Sequence, residues 1–254
     1  MIKIHKEVYG QGKAIVLIHG WAMHTGIWRK FAQQLAQNYQ VTCLDLPGHG
    51  LSETIEPYTL DSISDALIDV MPEQPCCVLG WSLGATVAMA LTEKYPQRVH
   101  SLILLAGNPR FVQETDWAGV NPKMLSEFAD NLQLNCQLTL IRFLALQVNN
   151  LPDGKSLLKE LKQAIQECNP PSEAVLKSAL DILKQSDLRE SLISLVCPVH
   201  VIQGDKDSLI SVQVSQDMKG IKPELKVNII NNAGHVPFLS HQSQVIEIIN
   251  KVYV

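Results

Sequence analysis

The chain has little charge imbalance and no excess of either polar or apolar residues. Its 21 Lys and Arg residues are set against 25 Asp and Glu residues, which gives a formal net charge of −4. A general nucleic-acid-binding protein would have a strongly basic surface, so this balance argues against that class. With 46% hydrophobic and 18% charged residues, the composition also excludes a disordered chain.

Long apolar runs and patterned cysteines are missing as well. No stretch approaches the roughly 18–20 apolar residues of a spanning helix, and residues 1–6 lack the apolar core of a signal peptide. The six cysteines form no CxxC pair and no Cys/His metal spacing. We therefore expect a cytoplasmic protein with reduced thiols, no metal, no cofactor, and neither membrane nor nucleic acid as a partner.

Short β-branched apolar runs predict six strands, at residues 14–18, 40–44, 76–79, 101–105, 199–202 and 226–230. Most are apolar at consecutive positions, which is typical of parallel strands covered by helices on both faces. Helical patterns separate or follow them, at residues 28–37, 60–70, 85–94, 212–218 and 242–252. This alternation predicts an α/β fold with a mostly parallel central sheet.

The alternation stops between about residues 109 and 189, where only helical patterns occur. They lie at residues 122–133, 138–148, 155–168 and 172–184. We therefore expect one α/β domain, formed by residues 1–109 and 190–254, that is interrupted by a helical insertion at residues 110–189.

The motif GWSLG at residues 80–84 follows a predicted strand and precedes a predicted helix. In that context GxSxG indicates a sharp strand-to-helix turn that exposes a nucleophilic serine, here Ser82. The start of the helix favours developing negative charge on Ser82. The alternative is a serine that merely caps the helix, between glycines needed for packing.

A serine hydroxyl needs a base, and the base needs an orienting acid. In α/β hydrolases the chain order is serine, then an acid, then histidine. Asp205 and Asp207 follow the strand predicted at 199–202, and His235 follows the strand predicted at 226–230. The carboxyl ends of parallel strands meet at one edge of the sheet, where such sheets bind ligands. Either aspartate fits this order, although Asp205 also suits a turn-shaping role.

A tetrahedral intermediate also needs an oxyanion hole. One donor is expected from the N–H of Leu83, directly after the serine, and the other from a loop after an early strand. Trp21 suits the second role, although His19-Gly20-Trp21 also fits an ordinary strand-ending turn.

Taken together, these motifs resemble the α/β-hydrolase superfamily. The motifs are HGW at 19–21, DLPGHG at 45–50, GWSLG at 80–84, GDKD at 204–207 and GH at 234–235. Within the superfamily the chain resembles the pimeloyl-[acyl-carrier protein] methyl ester esterases, through RFLALQ at 142–147, DILK at 181–184, DLR at 187–189 and HVPFLSH at 235–241. The resemblance implies that Ser82 is the nucleophile, His235 the base and Asp207 the orienting acid.

The same resemblance implies a serine carboxylesterase of biotin biosynthesis, which acts on an acyl carrier protein carrying the methylated pimeloyl chain. Its products would be methanol and pimeloyl-[acyl-carrier protein], and we expect a monomer. A broad-specificity short-chain carboxylesterase or thioesterase on the same fold stays the alternative, because a fold does not determine a substrate.

The resemblance also implies that the helical insertion is a cap. Trp21 and Leu83 would bind the oxyanion end of the substrate. The cap would line the acyl pocket with Phe143, Leu144, Ala145, Leu146 and Gln147. A docking patch for the acidic carrier protein would comprise Arg142, Lys155, Lys159 and Lys162. The alternatives are an ordinary apolar helix face for residues 143–147 and a solvated polar face for the lysines.

Overall fold

The computed structural model describes residues 2–253, and a seven-stranded sheet lies at the centre of that part of the chain. The strands are β1 (Lys6–Tyr9), β2 (Lys13–Ile18), β3 (Tyr39–Leu44), β4 (Cys76–Trp81), β5 (Val99–Leu105), β6 (Val199–Gly204) and β7 (Lys226–Ile230). Their spatial order is β1-β3-β2-β4-β5-β6-β7. Only β1 pairs antiparallel with its neighbour. The prediction of a mostly parallel α/β sheet is confirmed.

All six predicted strands are present, and β1 is the strand that the sequence did not indicate. Its residues alternate between exposed and half-buried positions at the edge of the sheet. A short edge strand of this kind carries no consecutive apolar run, and the prediction depended on such runs.

Helices cover both faces of the sheet. Within residues 2–253 they are α1 (Arg29–Leu35), α2 (Leu60–Ile68), α3 (Leu83–Lys94), α4 (Pro122–Gln147), α5 (Gly154–Gln166), α6 (Glu173–Gln185), α7 (Arg189–Ser194), α8 (Val212–Ile221), α9 (Pro237–Ser240) and α10 (Gln242–Val252). The sequence did not predict α7 and α9, which are too short to show a helical period. None of these helices within residues 2–253 has both the length and the hydropathy needed to cross a bilayer.

The core forms two hydrophobic clusters, one on each face of the sheet. Along β2, Val16 and Ile18 belong to the cluster packed under α2, α3 and α8, whereas Ile15 and Leu17 belong to the cluster under α1 and α10. Successive side chains of a strand point to opposite faces of the sheet. Because both faces are buried here, the consecutive residues Ile15 to Ile18 of β2 are all apolar. This two-sided burial explains the continuous apolar runs in the sequence.

The helices α4, α5 and α6 lie between β5 and β6 in the chain, as the break in alternation predicts. The two helices predicted at 122–133 and 138–148 are the two halves of α4. They are separated by a kink at Asn135, where the backbone is non-helical with φ −159° and ψ 88°. The Asn135 side-chain oxygen accepts the Leu138 N–H at 2.9 Å, and so acts as a cap for the second half of α4. We call α4, α5 and α6 the cap helices; the boundaries of the insertion at residues 110 and 189 stay a prediction.

Candidate active site

Ser82 occupies a sharp turn between β4 and α3. Its backbone lies in a region that L-residues rarely adopt, with φ 55° and ψ −117°. If Gly80 had a side chain, its Cβ would lie 2.2 Å from the carbonyl oxygen of Gly84. A Cβ at Gly84 would lie 2.3 Å from the carbonyl oxygen of Ile18. Only glycine fits at these two positions. The GxSxG pattern therefore allows the strained conformation at Ser82, and strain of this kind is common at functional sites.

Two backbone N–H groups near this turn lack protein acceptors. Leu83 is the first residue of α3, so its N–H has no partner within the helix. The loop after β2 supplies the N–H of Trp21, and within residues 2–253 neither of the two groups donates to a protein acceptor. The predicted oxyanion donors are therefore free to bind an oxygen of a ligand.

His235 and Asp207 form a buried hydrogen-bonded pair. His235 Nδ1 lies 2.8 Å from Asp207 Oδ2, and both side chains are 0% exposed. The other carboxylate oxygen, Oδ1, accepts the N–H groups of Leu209 at 2.8 Å and Ile210 at 3.0 Å. Because the carboxylate accepts the Nδ1 proton, His235 Nε2 has a free lone pair. That atom is buried and has no hydrogen-bond partner within residues 2–253.

Asp205, the other candidate acid, makes a different contact. Its Oδ1 accepts the Asn232 N–H at 2.6 Å, and its side chain is partly exposed. This bond ties the loop after β6 to the loop after β7, which also holds His235. The geometry therefore favours Asp207 as the residue that orients His235, and gives Asp205 a turn-shaping contact.

The loop that contains His235 is also bonded to the Ser82 turn and to a cap helix. The Trp81 indole N–H donates to the His235 carbonyl at 2.8 Å, and Trp81 is the residue before Ser82. The His235 N–H donates to the carbonyl of Gln147, the last residue of α4, at 3.1 Å. These bonds hold the loop from both sides and leave Nε2 unpartnered. Ser82 and His235 are not hydrogen-bonded to each other, which is common before substrate is bound.

The residues predicted for the acyl pocket face in different directions. Phe143 packs edge-on against Trp21, with ring centroids 4.7 Å apart. Gln147, one turn later, lies next to His235, and both of its side-chain polar atoms are buried without partners. Leu144 faces a cavity between α4 and α5, while Ala145 and Leu146 are half-buried.

The predicted nucleophile and base are almost completely covered in this structure. Ser82 is 3% exposed and His235 0% exposed. The cavity between α4 and α5 has a volume of about 440 Å³ and is lined by Leu140, Leu144, Ile165, Cys168 and six further residues, with none of the three predicted triad residues among them.

Several polar contacts hold the cap helices on the sheet domain. The Trp21 indole N–H donates to the Leu176 carbonyl of α6 at 3.0 Å. His24 Nε2 lies 2.7 Å from the Ala164 carbonyl of α5, and Lys30 Nζ lies 2.7 Å from Glu160 Oε1 of the same helix. An ion pair between Arg29 and Glu167 adds a further link. The loop of Trp21 is thus bonded to the cap through its side chain.

A pair of buried histidines shapes the loops next to Trp21. The ring centroids of His19 and His49 are 5.3 Å apart. His19 Nδ1 donates to the Gly20 carbonyl at 2.8 Å, so its Nε2 accepts the Leu46 N–H at 2.9 Å. Burial lowers the pKa of each histidine to about 3, and both rings are therefore neutral near pH 7. Sequence reasoning treated His19 only as part of a turn and did not detect this pair.

Asn108 is a further residue at this edge of the sheet that sequence reasoning missed. It follows β5 by three residues, and both of its side-chain polar atoms are buried without partners. Its position beyond the carboxyl end of a parallel strand was the one available signal, because ligands of such sheets bind there.

Comparison with known proteins agrees with the fold described above. The family model described as alpha/beta hydrolase fold matches residues 13–242. The chain therefore belongs to the α/β hydrolase family.

Particular members of this family resemble the chain over nearly its whole length. It is 37% identical over 245 residues to the pimeloyl-[acyl-carrier protein] methyl ester esterase of Methylococcus capsulatus, with 96% of each chain covered. The esterase of the same name from Nitrosomonas europaea is also 37% identical, over 96% of this chain and 97% of the relative. These relatives are carboxylic ester hydrolases by name.

Solved structures agree on the fold. An esterase from Exiguobacterium antarcticum superposes with a TM-score of 0.89 at 19% identity, covering 98% of this chain and 95% of its own. A bromoperoxidase from Bacillus anthracis gives a TM-score of 0.88 at 20% identity, covering 98% and 94%. At these identities the likeness shows the α/β hydrolase fold alone.

The two aspartates can be distinguished by removing one negative charge at a time. We expect Asp207→Asn to lower kcat for an ester by about 10⁴-fold, because the amide holds His235 in the wrong tautomer. Asp205→Asn retains an oxygen that can accept the Asn232 N–H, so we expect a loss below about tenfold. Steady-state kinetics on both purified variants measures this difference. A larger loss in Asp205→Asn would contradict the assignment.

The buried histidines predict a loss of stability in acid. An unfolded histidine titrates near pH 6.5, so the unfolded chain binds more protons than the folded one between about pH 6.5 and pH 3. The free energy of unfolding should therefore fall as the pH drops from 7.5 to 5, by up to about 2 kcal/mol for each histidine. Urea denaturation at both pH values tests this. In His49→Asn the free energy of unfolding should fall less over the same pH range, by the contribution of one histidine. An identical fall in wild type and variant would show that His49 does not contribute to this pH dependence.

Proposed function

We propose that the chain is a serine carboxylesterase that hydrolyses the methyl ester of pimeloyl-[acyl-carrier protein]. The chemistry is supported by one observation above the others. A buried Asp207–His235 pair leaves an unpartnered Nε2 at the same edge of the sheet as the strained Ser82 turn. In this proposal Ser82, His235 and Asp207 form the catalytic triad.

In the first step Ser82 Oγ attacks the ester carbonyl and gives its proton to His235 Nε2. The negative charge on the carbonyl oxygen is stabilised by the free N–H groups of Leu83 and Trp21. The bond to the methoxy group then breaks, and the imidazolium protonates the departing oxygen. Methanol leaves, and the acyl chain stays on Ser82.

In the second step water replaces methanol. His235 Nε2 takes a proton from the water as its oxygen attacks the acyl carbon, and the same two N–H groups bind the oxyanion. The bond to Ser82 Oγ then breaks, and Oγ recovers the proton from His235. Throughout, Asp207 stabilises the charged imidazolium and keeps Nδ1 protonated.

The substrate assignment is supported by the relatives, which share more than a third of the sequence over nearly the full length and carry one name. It would place the chain in biotin biosynthesis, with acyl carrier protein as its partner. The apolar cap side chains suit the methylene chain of a pimeloyl group. We further propose a cytoplasmic monomer.

A basic patch on the cap suits an acidic carrier protein. Lys155, Lys159 and Lys162 recur at i, i+4 and i+7 on α5, so they share one helix face. Lys155, Lys159 and Arg142 of α4 are exposed, and Lys162 is half-buried. Within residues 2–253 these four cations have no carboxylate at ion-pair distance, in contrast to Lys30, which pairs with Glu160. Leu138, on the same helix as Arg142, adds an exposed apolar side chain.

Methanol release tests the proposed reaction. The wild-type chain should release methanol from pimeloyl-[acyl-carrier protein] methyl ester faster than it releases the alcohol of a simple chromogenic ester. Replacing the nucleophile, Ser82→Ala, should lower kcat by on the order of 10⁶-fold on both substrates. Equal turnover in wild type and variant would exclude Ser82 as the nucleophile. A preference for the simple ester would favour a broad-specificity esterase or thioesterase instead.

Charge reversal tests the docking patch independently of the chemistry. We expect the triple change of Lys155, Lys159 and Lys162 to Glu to raise KM for the carrier-bound ester about tenfold or more, since each lost pairing contributes up to about 1 kcal/mol. Turnover of a small soluble ester should be unaffected. Lys226→Glu is the control, because Lys226 is an exposed residue at the start of β7, the end of that strand remote from the Ser82 edge. Equal effects on both substrates would argue against docking at this patch.

A further inference from the structure

Asn108 carries a buried carboxamide for which the protein provides no partner. The residue is 2% exposed. Neither its Oδ1 nor its Nδ2 finds a hydrogen-bond partner within residues 2–253. Buried polar groups are paired in the great majority of cases, and an unpaired donor and acceptor on one side chain indicate a bound polar molecule. One water molecule, which both donates and accepts hydrogen bonds, would satisfy both atoms.

The chain leading to Asn108 passes directly against the Ser82 turn. The Ser82 N–H donates to the Leu105 carbonyl at 3.1 Å. Ala106 then has a left-handed backbone, with φ 45°. A Cβ at Gly107 would lie 2.2 Å from Ala85 Cβ and 3.6 Å from the backbone carbonyl oxygen of Ser82. Asn108 therefore lies at the edge of the sheet between the strand before Ser82 and the strand before Asp207.

The proposed two-step reaction leaves one polar requirement unmet. The ester carbonyl oxygen has the N–H groups of Trp21 and Leu83, and His235 Nε2 exchanges one proton with the alcohol or the water. A water molecule held beside His235 has a second hydrogen and further lone pairs. Two carboxamide side chains at this edge have buried polar atoms without partners within residues 2–253, Gln147 and Asn108. Gln147 belongs to a cap helix and contacts the His235 loop through its backbone carbonyl, whereas Asn108 belongs to the sheet domain and follows the segment packed on the Ser82 turn.

We propose that Asn108 binds the hydrolytic water of the second step. This inference rests on the proposed ester hydrolysis. Oδ1 accepts the hydrogen that the water does not give to His235, and Nδ2 donates to a lone pair that is not used in attack. The water loses one proton to Nε2, its oxygen bonds to the acyl carbon, and the acyl bond to Ser82 Oγ breaks as Oγ regains the proton.

The test separates the two steps. Asn108→Leu has a similar size and no polar group, so it should slow hydrolysis of the acyl-enzyme more than its formation. With a chromogenic ester, the variant should show a burst of about one equivalent of alcohol, followed by a steady rate at least about tenfold below that of the wild type. Mass spectrometry of the quenched protein should find the acyl group on Ser82.

Added hydroxylamine gives a second readout, because it attacks the acyl-enzyme without needing the bound water. It should restore turnover in Asn108→Leu much more than it raises that of the wild type. Asn108→Ser keeps an acceptor oxygen and should recover part of the hydrolysis rate relative to Asn108→Ala. If Asn108→Leu does not fold, Asn108→Ser and Asn108→Ala are compared instead, by the burst of alcohol and by the response to hydroxylamine.

Ser101→Ala is the matched control, since Ser101 is a buried polar residue at the opposite end of β5. It should leave the ratio of the two steps unchanged. If acylation and deacylation slow equally in the Asn108 variants, or neither changes, Asn108 holds only a structural water and the proposal is overturned. A wild type that forms no acyl-enzyme and hydrolyses no ester would overturn the proposed function as well, so the two failures are distinguishable.

Discussion

The parallel arrangement of the sheet is the constraint on which the site depends. Parallel strands end at one edge, so residues far apart in the chain meet there without any local sequence relation. The ends of β2, β4, β5, β6 and β7 are followed by Trp21, Ser82, Asn108, Asp207 and His235. Burial of the sheet on both faces keeps these ends in register. The close packing of Gly80 and Gly84 then holds Ser82 in its strained turn.

The cap helices are bonded to two of these loops. The end of α4 accepts the N–H of His235, and α6 accepts the indole N–H of Trp21. The cap therefore contacts the loop of the proposed base, His235, and the loop of a proposed oxyanion donor, Trp21, at the same time.

Much of this could be predicted from the sequence because the signals are local. GxSxG between a strand and a helix, and acids and a histidine after later strands, identify the residues and their order. The choice between Asp205 and Asp207 could not be made from spacing, because it depends on which carboxylate reaches the His235 ring. Equally, the helical period of residues 143–147 cannot say which side faces Trp21 and which faces the cavity between α4 and α5.

Long-range pairing explains the other omissions. The strand β1 forms only because β3 offers an open edge. The importance of Asn108 and of the His19–His49 pair lies in burial and in missing or available partners, which no local pattern encodes. Such features become visible only when the whole chain is folded.

Covalent labelling tests most directly whether the folded strand ends activate one serine. The native chain is incubated with a fluorophosphonate, and the modified residue is located by peptide mass spectrometry. The account predicts one equivalent of label, on Ser82 alone, and no label when the chain is first unfolded in urea. Labelling of another residue, or equal labelling of the unfolded chain, would contradict it.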